Sequence, residues 1–237
     1  MNIVNNIKEI ASQYKYIVIG ELHGIQENVL FLKEILNEYI LNTKNHVTFA
    51  FEWPLTKEEN KVLSSFALGK IDSHSDQFNS VLSKLYSQQS GVFSDQHLSF
   101  VKEVRDINLK RSNNFINITA FDPDLTDWNA RDKQMAMNIL EASKTADTVI
   151  VVTGNLHARK HPFRLNGGEY DLYPLASHLP LKETFSIKLK YKKGKFFNFG
   201  VKDTPPKMKK ERSDSDEEVF YDSVYHFEST SPVSLTP

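Results

Sequence analysis

Four short runs of β-branched and aromatic residues stand out along the chain, at 16–19, 47–51, 115–121 and 148–152. None alternates apolar with polar positions, so each is expected to be a strand covered on both faces, as in a parallel or mixed sheet with helices on either side. After Gly24, the residues Ile25, Val29, Leu32, Leu36, Tyr39 and Ile40 recur at helical spacing. They place an amphipathic helix between the first two strands and make a right-handed β-α-β unit.

From residue 55 to 114 the pattern is helical only. Thr56 and Glu59 have capping-box spacing, Gly69 ends that helix, a second run covers 76–87, and a third starts near Ser94 with Leu98, Val101, Val104 and Ile107 inward. This all-helical insertion follows the second strand, so it is expected over the C-terminal edge of the strands, the usual place for a lid or specificity wall. A further helix is predicted from about 129 to 142, with Ala136, Ile139 and Leu140 as its apolar stripe. Leu172, Leu175, Ala176 and Leu179 are helically spaced and read as core. Residues 185–191 and 195–201, separated by Lys192, Lys193 and Gly194, read as a β-hairpin. The stretch 203–218, with Pro205, Pro206, KMKKER and SDSDEE, reads as a mobile charged loop, and 220–227 as a last strand. The expectation is one α/β domain over 1–237, with a mixed, mostly parallel central sheet flanked by helices.

Composition removes several classes of function. Lys+Arg 29 against Asp+Glu 30 leaves a net charge of −1, so the broad basic field of a nucleic-acid binder is absent. Cys is 0, which excludes disulfides, thiolate zinc sites, thiol nucleophiles and a cysteine lipid anchor. Residues 1–16 have no apolar export segment, and no run approaches the ~20 apolar residues of a membrane helix. A cytoplasmic protein without a membrane span is expected, its oligomeric state left open. Chemistry falls to His, Asp, Glu and Arg.

Those residues are not scattered. Each strand run is followed at once by ionisable side chains: Glu21 and His23, then Glu52, then Asp122, then His157. YIVIGELHG at 16–24 and TVIVVTGNLHARK at 148–160 both place Gly-x-Leu-His after an apolar strand. Ends of neighbouring parallel strands lie about 5 Å apart, so all five can converge on one cleft. Gly20 and Gly154 are expected to turn the chain sharply off its strands and to allow close backbone approach. His23 lies just before a helix N-terminus, which favours neutral imidazole, while Glu21 and Glu52 pull the other way. Glu52 sits in FEWP, where two readings compete: Trp53 offers an apolar wall to a substrate and raises the carboxyl pKa toward acid/base work, or Glu52 is a helix-start acid next to a core Trp. Asp122 precedes Pro123, so an Asx turn competes with a substrate-binding role. Arg131, four residues before Met135, should point toward the sheet and either orient carboxylates or hold a substrate anion, with a surface role as the competing reading. Arg159, Lys160, His161 and Arg164 form a basic loop that would suit an anionic substrate group or simply be solvated. His46, His74, His97, His178 and His226 show no partner pattern and are expected to be structural or superficial.

GELHG at 20–24, FAFEWP at 49–54, ARDKQMAMNI at 130–139 and TGNLHARK at 153–160, in that order, resemble the erythromycin esterase, ChaN-like and Tiki/TraB superfamily. The resemblance covers about 14–180, and FYDSVYHFEST is similar to the closing strand of such domains. It implies an α/β fold with a mixed central sheet. The esterase branch implies His23 as general base on water, with Glu21, Glu52, Arg131 and His157 as its partners. The Tiki branch implies a divalent-metal-dependent peptidase, and the ChaN-like branch a lipid-anchored haem-binding protein. This chain has no cysteine for such an anchor and is shorter than the antibiotic esterases.

The expected function is therefore a hydrolase that cleaves an ester or amide in a small molecule or peptide. Glu21, His23, Glu52 and His157 would suit Mn²⁺, Co²⁺ or Zn²⁺ as metal ligands, whereas a metal-free base needs only one His and one acid. Both mechanisms stay open. One alternative is a protein that binds haem or another small ligand without turnover. Another is a tailoring or effector domain acting on a peptide or protein partner through 203–218.

Overall fold

A computed structural model describes residues 3–40, 43–111, 116–164, 170–204 and 217–235. The chain opens with α1 (Ile3–Gln13), β1 (Tyr16–Glu21), α2 (Gln26–Glu38) and β2 (Val47–Phe51). Three helices follow, α3 (Lys57–Ala67), α4 (Asp76–Ser87) and α5 (Asp95–Lys110), and then β3 (Ile116–Ala120), α6 (Trp128–Ala142) and β4 (Thr148–Gly154). The remainder comprises β5 (Thr184–Tyr191), β6 (Gly194–Phe197), β7 (Val201–Thr204), the single turn α7 (Glu217–Phe220) and β8 (Ser223–Phe227). Six strands form the central sheet in the order β3-β2-β4-β1-β5-β8. Every pairing in it is parallel, which puts all the strand C-termini on one edge.

Both faces of the sheet are covered, as runs without alternation require. Ile17, Ile19, Phe49, Phe51, Ile118, Ile150 and Val152 point to one side, into a core shared with α1, α2 and the three helices of the insertion. Val18, Ala50, Val149 and Val151 point to the other, against Met135, Ala136 and Ile139 of α6 and Leu175 and Leu179. α1 was not anticipated, although Val4 and Ile7, three apart, are its buried residues and mark an inward stripe.

The insertion is helical as expected, and its bulk lies across one sheet face and along the β3 edge. Leu63, Phe66, Phe78, Val81 and Phe100 enter the common core. Thr56 and Glu59 close the capping box, with the Glu59 carboxylate accepting the Thr56 N–H at 2.7 Å. Two asparagines then finish the edge strand. Asn60 accepts the Ala120 N–H at 2.8 Å and donates to the Ala120 carbonyl at 3.1 Å. Asn108 does the same for Ile116, at 2.9 and 2.8 Å, so amide side chains stand in for a neighbouring strand.

Two other expectations are corrected. The hairpin is β6 with β7, antiparallel, one element later than read from the sequence. β5 is unavailable for it, because β1 and β8 occupy its two edges. The last strand begins at Ser223 because α7 takes the residues up to Phe220. Of the stretch expected to be a mobile charged loop, Asp203 and Thr204 belong to β7, and residues 205–216 lie outside the described ones.

The hairpin and the C-terminal residues meet at the loop after β1. Gly24 adopts φ +82°, and any side chain there would run into the Phe197 carbonyl. Its own carbonyl accepts the Phe197 N–H at 2.9 Å and the Val233 N–H at 3.0 Å, and Gln26 N–H donates to Ser231 O at 3.0 Å. Among the described residues no helix is long and apolar enough to cross a membrane.

Candidate functional site

β1 and β4 are neighbours, with Gly20 opposite Thr153 and Glu21 opposite Gly154. The two Gly-x-Leu-His segments are therefore offset by one residue. His23 lies in the loop leading to α2, and His157 in the turn after β4. Gly20 remains inside β1, and its bareness accommodates Ala158 of that turn rather than a bend of its own.

Glu52 joins the two histidines. It continues β2 by donating its N–H to Val152 O at 3.1 Å, which aims its side chain across the end of β4. One carboxylate oxygen, Oε2, accepts the Thr153 hydroxyl at 2.6 Å and the Gly154 N–H at 2.8 Å. The other, Oε1, accepts Arg131 Nη2 at 2.9 Å. His23 Nε2 lies 3.7 Å from Oε2, and His157 Nε2 lies 3.6 Å from Oε1.

Each imidazole is held from behind by a second acid. Glu21 Oε1 is 3.0 Å from His23 Nδ1. Asp132, 0% exposed, lies 2.7 and 2.9 Å from His157 Nδ1 through its two oxygens, and its Oδ2 also accepts the Leu175 N–H at 2.8 Å. Trp128 stacks on the His157 ring, centroids 4.5 Å apart and planes 15° apart. Behind Glu21, Asn28 donates to the Leu22 carbonyl at 2.9 Å and accepts the Tyr191 hydroxyl at 2.8 Å, fixing the loop that carries His23.

Arg131 does what a forked cation in the first turn of α6 can do. Its Nε and Nη2 donate to Asp122 at 2.9 and 2.7 Å while Nη2 also reaches Glu52. Asp122 also accepts the Asp124 N–H at 3.0 Å, so the Asx turn and the arginine contact coexist. Its hydrogen bonds to Asp122 and the nearby Glu52 charge hold the guanidinium more firmly protonated than usual.

The charges follow from this geometry. Burial alone would raise the Glu52 carboxyl, but His157, His23, Arg131 and the Thr153 hydroxyl bring it down to about 2. That corrects the expectation of a raised value beside Trp53. Burial pushes Glu21 up, against the hydrogen bond from His23. Burial also disfavours the His23 imidazolium, yet the Glu21 hydrogen bond and the Glu52 charge outweigh it and raise the pKa above 6.5. The neutral form favoured by a helix N-terminus thus loses to two carboxylates.

Trp53 is corrected too. It is 1% exposed, stacks on Phe51 at 4.2 Å, meets Phe93 and His97 edge-on, and donates its indole N–H to Val92 O at 2.8 Å. It supports the strand end from inside and offers no surface to a ligand. His97 is equally internal: its Nδ1 is 2.8 Å from Ser94 Oγ, and burial with the charge of His23 lowers its pKa to about 3. The basic loop is largely spent on local partners, Lys160 on Asp222 and Arg164 on Asp171, with Arg159 packed over Phe163 and Phe220.

Asp132, Thr153 and Trp128 complete the cluster and were not read as site residues from the sequence. Asp132 left a signal, since it heads the buried stripe Asp132, Met135, Ala136 and Ile139 of α6. Among the described residues, no three His, Asp or Glu side chains are placed to hold a metal ion. Both Glu52 oxygens are already engaged, and the Arg131 cation lies against them, so Glu21, His23, Glu52 and His157 do not fit a divalent ion in this arrangement.

Neither a protein-family model nor a curated protein sequence matches the chain. Solved structures do. A succinoglycan biosynthesis protein superposes with TM-score 0.73 at 12% identity, over 99% of this chain and 93% of that one. A protein from Bacillus cereus gives 0.63 at 11%, over 100% and 93%. The erythromycin esterase EreC in its open conformation gives 0.58 at 10%, over 90% and 81%. The chain has the α/β fold of these proteins, in agreement with the resemblance carried by its four motifs.

Proposed function

We propose that the chain hydrolyses an ester or amide, using two histidine–carboxylate pairs and no metal. The observation that carries this reading is the facing of the pairs. Glu21 and Asp132 hold the two Nδ1 atoms, and both Nε2 atoms address Glu52, at 3.7 and 3.6 Å. A neutral His23 donating Nδ1–H to Glu21 carries its lone pair on Nε2, the form a general base needs. Water adds to the carbonyl carbon as one of its protons passes to His23 Nε2. The bond to the leaving oxygen or nitrogen then breaks as that proton is returned to it. Glu21 and Glu52 stabilise the imidazolium in between, and Arg131 keeps Glu52 ionised and in place. His157, fixed by Asp132 and Trp128, presents a second proton-transfer group to the same space. That an erythromycin esterase has this fold supports the reaction class and leaves the substrate open.

The test is a panel of activated esters, lactones and peptide amides, assayed with and without a chelator. Hydrolysis should survive the chelator and fall about 100-fold or more in His23→Ala. If no substrate is turned over and haemin instead titrates with a saturating visible-band change, the protein is a ligand binder. Activity restored only by added Mn²⁺, Co²⁺ or Zn²⁺ would replace the metal-free mechanism with a metal-dependent one.

A further inference from the structure

The gaps on either side of Glu52 are too long for direct hydrogen bonds and short enough for a shared water. What lies beneath the His23 gap is Gly154. A Cβ built on Gly154 would come 3.3 Å from His23 Nε2, 3.5 Å from His157 Cδ2 and 3.7 Å from Glu52 Oε2. Its backbone is not in the left-handed region, so the turn itself does not demand glycine there. The missing methyl group instead leaves open the space between the two imidazoles.

We propose that Gly154 is the floor of the seat for the attacking water, which bridges His23 Nε2 and Glu52 Oε2. This rests on the hydrolase reading above and names where its nucleophile sits. The Gly154 N–H and Thr153 hydroxyl hold Glu52 Oε2 at the rim, where it accepts a hydrogen bond from one water O–H while the other O–H donates to His23 Nε2, the group that takes the proton during attack. A lone pair of the water is then free to meet a carbonyl carbon.

Gly154→Ala is the direct test. The 3.3 Å approach is tight but faces a side-chain ring, so the variant should fold and melt within a few degrees of wild type. Its kcat on the best ester of the panel should fall about 100-fold or more, with KM changed less than about threefold, because the added methyl meets His23, His157 and Glu52 first and displaces the nucleophile. A high-resolution crystal structure of the wild type provides the second arm and does not depend on the variant folding. It should show a water within hydrogen-bond distance of both His23 Nε2 and Glu52 Oε2. Wild-type kcat in Gly154→Ala, an empty seat, or an anomalous scatterer in place of the water would each overturn the proposal. A wild type that hydrolyses nothing yet holds the water would end the hydrolase reading and leave the seat standing.

Discussion

Asp132 faces His157 Nδ1 with both carboxylate oxygens, at 2.7 and 2.9 Å, from a fully buried position on α6. A carboxylate so placed fixes the ring orientation and the tautomer of the imidazole. Asp132→Asn keeps the volume and one acceptor oxygen for Leu175 N–H and His157 Nδ1, but removes the charge and puts an amide NH2 in place of the oxygen 2.7 Å from Nδ1. It should lower kcat about 10- to 100-fold, with little change in KM. Steady-state kinetics on the folded variant decide it, and an unchanged kcat would make the pair purely structural.

The base His23 works only when neutral, and its pKa is raised above 6.5. The rate should therefore rise with pH along an acid limb whose midpoint lies above the ordinary histidine value. Glu52→Gln removes one of the charges that favour imidazolium and should move that midpoint down, even as it lowers the maximum rate. A midpoint unmoved in the variant would separate Glu52 from the titrating group.

Arg131→Lys keeps the charge and loses the fork that spans Asp122 and Glu52. Activity should fall about tenfold or more, a loss on the order of 1.4 kcal/mol in transition-state stabilisation. Wild-type kinetics in the lysine variant would show that a diffuse positive charge is enough.

His23 and His157 address one carboxylate, so their contributions should not multiply. Each alanine variant should lose most of the activity, and the double variant should be scarcely worse than either. Melting curves on all three control for folding. Losses that multiply would assign the histidines to separate tasks.

Glu52 ionises at about 2 in the fold, against 4.5 as its usual value. Its stabilising effect is complete above 4.5 and disappears as the pH falls toward 2. Between pH 5 and 3 the melting temperature of wild type should drop, and that of Glu52→Gln should drop less. Parallel curves would mean that other carboxylates govern acid unfolding.

Much of this architecture is written locally. Buried strands announce themselves by continuous β-branched runs, and Thr56, Ser94 and the helical spacing from Ile25 onward mark helices that do form. The convergence of Glu21, His23, Glu52, Asp122 and Arg131 with His157 was legible because parallel strands deliver their ends to one edge. What stayed hidden depends on partners distant in sequence. The hairpin register could not be read, since β5 pairs with β1 and β8 rather than with the segment after it. The Glu52 charge was misjudged from Trp53, its neighbour in sequence, because Arg131, Thr153 and the two histidines surround it in space. Asp132 was passed over because a single acid in an amphipathic helix looks solvated until its phase in the stripe is counted.

The strand order has a kinetic consequence. β1 is made early, yet its partners are β4 and β5, more than a hundred residues further along the chain. Its hydrogen-bonding edges stay open until most of the polypeptide has been assembled, and closing so long a loop is slow relative to forming local helices. Helices α3 to α5 can dock on one another well before that. His23 and His157, one on each side of the β1–β4 seam, come together only in the last slow step, so regain of activity on refolding should lag behind regain of helix.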